Sequence, residues 1–400
     1  MSRRTKIIIA IVVLLLLIGG LLLYFFWFRK EKGGGGEEGG TFPTTEDTEF
    51  PTGDEGVTTI LPEEPKPRLR LLYKEPQAGA VIGKRGGKLV ARLVDVATGN
   101  VFENGLAEGD PERLTNTTIP KVYEAVWRPS GAGVALRYLK EDEEDIETFS
   151  GTLRGEGGAA GERELAGSFF PRDITAFTVA PDGSRAFYVR EENGEAVGVT
   201  AGLDAGGKRE VWRSPLREWN ALWIKSDTIA LQSKPSATAA GMLLYLNPAS
   251  GGVERVLSGA AGFTTLPSPT GALVAASEAT ETGISFSLFE KTSRAKRALA
   301  LVTLPEKCAW NKKGTALYCA APKSLPEGSY PDSWYQGLIG LNDELWSIDA
   351  LTRTTRLIAD PRLEAGVELD ITNVVVSDDE SYLVFADKAT QTLWSFRLTE

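Results

Sequence analysis

Residues 177–189 read Phe177-Thr178-Val179-Ala180-Pro181-Asp182-Gly183-Ser184-Arg185-Ala186-Phe187-Tyr188-Val189. Two short apolar runs flank a Pro-Asp-Gly turn, the local chemistry of a tight β-hairpin. Degenerate copies recur along the chain, with turn residues at Gly86, Gly131, Gly183, Asp227, Gly271, Gly314 and Glu380, at intervals of 45, 52, 44, 44, 43 and 66 residues. One such hairpin cannot bury its own apolar faces, so the copies must stack. A basal period near 44, lengthened twice by insertion, predicts four-stranded blades. Seven copies predict an all-β, seven-bladed β-propeller over residues 68–400, with six or eight blades as the neighbouring counts.

Four residues before the turns stand Ile82, Trp127, Val179, Trp223, Pro267, Trp310 and Val376. That position belongs to the innermost strand of a blade, so its tryptophans read as core. Second hairpins at 242–257 and 345–358 supply outer strands. The last copy ends at 393–398 without a fourth strand, whereas 69–73 form an apolar run before the first copy. The two ends are expected to complete one blade, which closes the ring and removes an open sheet edge.

Residues 7–28 carry no charge and span about 33 Å as a helix at about 1.5 Å per residue, enough to cross a bilayer. Three basic residues stand on each side, so flanking charge does not set the orientation. Only six residues precede the run, and no small-residue cleavage site follows it. We therefore expect residues 1–32 to be an uncleaved signal anchor in the cytoplasmic membrane, with the amino end inside. A cleaved secretory signal is the alternative, and either places the propeller outside the cytoplasm. Residues 33–67, rich in Gly, Thr, Pro and acids, are expected to form a disordered acidic linker.

The formal net charge is −10; residues 1–32 contribute +5, leaving −15 on the remainder. A part this acidic is not expected to bind nucleic acid, whose phosphates demand a basic face. Histidine is absent, which excludes Ser-His-Asp and Cys-His sites and histidine-ligated metals. Two cysteines cannot build a four-thiolate zinc site. No cofactor is expected, and what remains for catalysis is carboxylate, lysine or tyrosine chemistry.

The sequence resembles the WD-repeat-like propeller repeats of bacterial envelope proteins of the TolB type, and the propellers of dipeptidyl peptidases. The resemblance rests on Ala180-Pro181-Asp182-Gly183 with Ala186-Phe187-Tyr188, on residues 127–136 and 310–318, and on Leu345-Trp346-Ser347-Ile348-Asp349. It covers 69–400 and implies a propeller fold at the cell envelope. No hydrolase domain follows, no TolB-like amino-terminal domain precedes, and several copies lack the Pro-Asp-Gly turn.

Strand direction alternates within a blade, so loops joining strands two and three share a face with the links between blades. Residues 322–342 interrupt strands two and three of the sixth copy. Residues 141–145, with a Gly-rich link at 155–171, lengthen the second copy and are expected on the same face. Long loops on a rigid scaffold are where binding usually resides. The sixth-copy insertion holds Tyr330, Asp332, Trp334, Tyr335 and Gln336, which could stack on a sugar ring or anchor a peptide. The competing reading is that these aromatics fold back and cap the ring. The run Glu141, Asp142, Glu143, Glu144, Asp145 lacks the spacing of a calcium loop, so no metal site is expected there.

Cys308 and Cys319 bracket the turn near Gly314 and fall opposite each other in a symmetric hairpin, within disulfide reach. A bridge and two buried thiols both remain open. The sequence reading is a membrane-anchored, non-enzymatic binding or scaffold module for an envelope protein, peptide or glycan. Its alternative is an extracytoplasmic hydrolase or lyase working through carboxylates such as Glu327 and Asp332.

Overall fold

A computed structural model describes residues 67–399, except 117, 141–144 and 156–162. The expected anchor, the expected linker up to residue 66, and Glu141 to Glu144 of the acidic run lie outside these residues. Among the described residues no helix is long and apolar enough to cross a membrane.

The chain forms seven antiparallel sheets of four strands each. Six blades are continuous in sequence, at 77–113, 122–169, 174–214, 219–261, 264–298 and 308–359. The seventh takes three strands from 371–397 and its outermost strand, Leu69–Tyr73, from the other end of the chain. In that strand Leu69 lies opposite Phe396 and Leu71 opposite Trp394, while Leu69, Leu72 and Tyr73 are buried. The ring is thus closed by both termini, and no blade is left as an open pair of edges.

All seven anticipated turn positions join a first strand to a second one. Gly86, Gly131, Gly183, Gly271 and Gly314 have φ between +56° and +73°, the left-handed region that glycine enters without a Cβ penalty. Glu380 adopts φ +55° as a non-glycine. In the hairpin that opened the argument, Val179 pairs with Ala186 and Phe177 with Tyr188. Trp127 and Trp310 each donate their indole N–H to a carbonyl of the preceding blade, Gly79 and Leu266, at 3.0 Å. Trp223 occupies the same position, but its Nε1 is buried without a partner.

Seven apolar clusters lie between neighbouring blades, one for each junction. Phe187, Trp212, Trp219 and Leu231, for example, seal blade three against blade four. An eighth cluster packs Tyr330, Trp334 and Leu341 of the sixth-blade insertion against Leu304 and against Ile284 of blade five.

First strands run from the face that carries the insertion, here the insertion face, to the opposite turn face. Residues 323–342 join the second strand of blade six to the third on the insertion face, and Lys140 and Asp145, which follow the second strand and precede the third in blade two, stand on the same face. The Gly-rich link requires correction: Glu164–Phe169 within it is the fourth strand of blade two. Gly155 and Arg163, the described residues between the third and fourth strands, therefore stand at the turn face and not with the insertion. The physical reason is that Leu165 packs into the junction of blades one and two, while the pairs Leu153–Leu165 and Thr152–Ala166 keep the strand in register.

Cys308 and Cys319 are directly paired across the first two strands of blade six, with a Cα separation of 4.0 Å, and form a disulfide.

Candidate functional site

The insertion is held down by a charged core. Lys307, in a 3-10 turn (Pro305–Lys307) at the start of blade six, is 0 % exposed. Its ammonium lies 2.7 Å from Asp343 Oδ2 and 2.6 Å from Asp370 Oδ1, and 4.9 Å from the centre of the Trp334 ring. Asp370 also accepts the Trp334 indole N–H at 2.9 Å and the Leu341 amide at 3.1 Å. One aspartate thus ties the insertion to the link before blade seven. Asp343 accepts the Ile371 amide at 2.7 Å through the oxygen that meets Lys307, while its other oxygen is buried without a partner. Burial pushes the Asp343 carboxyl up to about 6 against the pull of Lys307.

The five insertion residues singled out by sequence divide in two. Tyr330 is buried and donates its hydroxyl to the Pro326 carbonyl at 2.8 Å. Trp334, 3 % exposed, lies in the same cluster between the ammonium groups of Lys307 and Lys388. Asp332 opens the short helix α1 (Asp332–Tyr335) and accepts the Ala237 amide at 3.0 Å, stitching the insertion to blade four. The insertion backbone seats closely there: a Cβ on Gly262, which has φ +71°, would stand 2.8 Å from the Tyr330 carbonyl oxygen. Tyr335 and Gln336 are exposed. Glu327 is exposed on the insertion, and no contact brings it to Asp332.

Tyr335 leads to a group that the sequence reading missed. Its ring is 39 % exposed, and its hydroxyl donates to Glu306 Oε1. Glu306 Oε2 is sealed from solvent and makes no hydrogen bond of ordinary length. Burial pushes the Glu306 carboxyl above its ordinary range, against the pull of the Tyr335 hydroxyl and Lys307. Burial and the adjacent Glu306 push the Tyr335 phenol up as well. Glu306 also lines a cavity of about 110 Å³ with Asn220, Leu222 and Gln232 of blade four and Thr265 of blade five. That volume suits about three waters or a small chemical group, not a sugar ring. Among the described residues no cluster of acidic or sulfur side chains could hold a metal.

The signal for Glu306 and Lys307 was available in Thr303-Leu304-Pro305-Glu306-Lys307-Cys308, two adjacent charges inside an apolar run at the mouth of an inner strand. Nothing in the sequence showed that Asp343 and Asp370 would meet there.

No protein family model matches the chain. No curated protein matches it either. Solved structures do. Oligogalacturonate lyase from Vibrio parahaemolyticus superposes with a TM-score of 0.56 at 9 % identity, over 82 % of this chain and 91 % of that one. The propeller domain of the trilobed protease from Pyrococcus furiosus gives 0.51 at 13 % identity, over 80 % and 98 %. Tricorn protease gives 0.50 at 11 % identity, over 84 % of this chain and 34 % of that one. At these identities the likeness is one of fold, the β-propeller expected from the repeats. The Pyrococcus domain is described as an open-velcro propeller, whereas this ring is closed by Leu69–Tyr73.

These comparisons correct one expectation. The chain was read as non-enzymatic, yet propellers of the same build belong to a lyase and two proteases. The lack of histidine and of a familiar motif removes some chemistries but does not argue against catalysis on this scaffold.

Proposed function

We propose that the chain is an extracytoplasmic hydrolase or lyase, tethered to the cytoplasmic membrane by residues 7–28, that works through Glu306 and Tyr335 on the insertion face. The reading is carried by one observation: Tyr335, itself 39 % exposed, donates its hydroxyl to Glu306, a buried carboxyl beside a small cavity. Perturbed titratable pairs beside a cavity are where acid and base roles are usually found.

The pair can complete a proton cycle by itself. Ionised Glu306 takes a proton from a water in the adjacent cavity, or from carbon in an elimination. Tyr335 gives its own proton to the departing oxygen or nitrogen. The proton on Glu306 then passes along their hydrogen bond to the phenolate, restoring both groups. Lys307, Asp343, Asp370 and Trp334 act as positioning residues, because they fix the insertion that carries Tyr335. The partner is a glycan or a peptide lying over the exposed Tyr335 side, with only the attacking water or a small group entering the cavity; the neighbours named above include an oligogalacturonate lyase and two proteases.

The test is turnover of oligogalacturonate and of an unbiased peptide library by the full chain and by E306Q and Y335F. We expect each variant to lose about 10²-fold or more in turnover while melting near the wild-type temperature. No turnover of either class, or turnover indifferent to both substitutions, would sink the proposal.

A further inference from the structure

The turn face repeats one groove around the ring, and the copies serve as controls for one another. Between blades four and five a cavity of about 600 Å³ is lined by Lys225, Asp227, Tyr245, Glu254 and Lys291. Both cations there are matched: Lys225 lies 3.1 Å from Asp227, and Lys291 lies 2.8 Å from Glu254 and 5.5 Å from the Tyr245 ring centre. Between blades three and four, Arg209 is bonded to the carbonyls of Pro248 and Ala249.

The groove between blades five and six differs. Its volume is about 480 Å³, its floor is Leu273, Leu288 and Ala350, and its walls carry Arg297, Arg353 and Leu351. Both arginines are exposed, and neither guanidinium has a hydrogen bond or an ion pair among the described residues. The two carboxylates of the groove are already engaged by their own turns. Asp349 accepts the Leu351 and Thr352 amides at 3.0 and 2.7 Å, and Glu290 accepts the Ser293 hydroxyl at 2.7 Å.

The turn that builds this wall occurs five times, at 95–100, 247–252, 290–295, 349–354 and 387–392. Its third residue is Ala97, Ala249, Thr292, Leu351 or Ala389. Only in blade six is it a large apolar side chain, and Leu351 is 85 % exposed. Its fifth residue is left-handed in every copy, as Gly99, Gly251, Arg294, Arg353 or Gln391. Glycine holds that conformation without strain, whereas a β-carbon makes it costly. Arg294 spends its guanidinium on the Val256 carbonyl at 2.8 Å, leaving Arg353 as the arginine at this position with no internal partner. Exposed leucine and unpaired arginine therefore replace the cheaper residues in the one copy where both face the same groove.

We propose that the groove between blades five and six binds an acidic peptide, with Arg297 and Arg353 receiving a carboxylate and Leu351 closing over an adjoining apolar side chain. Two guanidiniums without a bonded partner can each receive a carboxylate oxygen, and the apolar floor can take a side chain beside it. This site is on the face opposite Glu306 and does not depend on the catalytic proposal.

The experiment is calorimetric titration of the full chain in nonionic detergent with acetyl-Glu-Leu-Glu-amide, and with its Gln-Leu-Gln counterpart. We expect the acidic peptide to bind, and the neutral one to bind at least about tenfold more weakly. The R297A/R353G double variant should lose at least about tenfold for the acidic peptide, and L351S should lose less. K225A/K291A, which alters the neighbouring groove, should bind as wild type does. Equal binding of the two peptides, no binding, or undiminished binding by R297A/R353G would overturn the proposal. So would self-association in sedimentation that R353G abolishes, since the occupant would then be a second copy of this chain.

Discussion

The seven cores between blades are held by apolar packing, whereas the eighth, under the insertion, is an apolar cluster joined through Trp334 to a buried charge network. The junction cores are aliphatic and aromatic, and each follows from the repeat: apolar residues two apart on paired strands, offered to the next blade. The eighth is organised around a fully buried ammonium, two aspartates and an indole. The first kind tolerates drift in sequence as long as volume is kept. The second depends on a few groups meeting at hydrogen-bond distance, and removing one leaves the others unpaired. A repeat architecture can thus keep its ring while one blade acquires a separately held insertion.

The comparison can be broken most forcefully at the closure. Truncation through Tyr73 removes the outer strand of blade seven and three buried side chains, each contributing about 1.5 to 3 kcal/mol. We expect loss of the monodisperse species in gel filtration. A truncated chain that stays folded and monomeric would show that the ring does not need its seam.

Next in size are two substitutions that should act in different places. K307M leaves buried carboxylates uncompensated and should cost about 3 to 5 kcal/mol, with protease cleavage appearing first within 323–342. F187A in a junction core should cost about 3 to 5 kcal/mol as well, without selective cleavage of the insertion. Identical cleavage maps for the two variants would erase the distinction between the cores.

A smaller effect is expected with pH. The Asp343 carboxyl is pushed up to about 6 in the folded chain, above the unfolded carboxylate range of about 3.9. Its contribution to stability is therefore fully present below the unfolded value and is lost as pH rises through about 6. Urea denaturation of wild type and D343N between pH 4 and 7 should show the wild type alone losing this increment as pH rises. Parallel curves would assign Asp343 an ordinary carboxyl.

The smallest expected effect is at the turn face. R353G should gain a few tenths to about 1 kcal/mol by relieving a left-handed non-glycine residue, while weakening the acidic peptide. Stability gained at the expense of binding would mark Arg353 as a residue kept for its side chain.

How much was legible beforehand follows the same division. The blade count, the seven turns and the pairing of 69–73 with the last copy could be read because they rest on local chemistry repeated at fixed spacing. The fourth strand of blade two was hidden, since Glu164–Phe169 lies among glycines and has a weak apolar pattern. Within the site, the aromatics of the insertion were visible as an unusual cluster, but their partition was not. Whether Trp334 faces ligand or core is decided by Asp370, 36 residues away, and by Lys307. Glu306 could be recognised only once the fold had placed Tyr335 against it. Long-range meetings of single charged groups carry no period, so the sequence holds no echo of them.

The most direct measurement of the account is the titration of Glu306 itself, followed by NMR with carboxyl-labelled glutamate and assigned through E306Q. The account predicts a resonance that titrates clearly above the ordinary glutamate range and that shifts again in Y335F, because the phenol is its partner. Titration within or below the ordinary range, unmoved by Y335F, would contradict it.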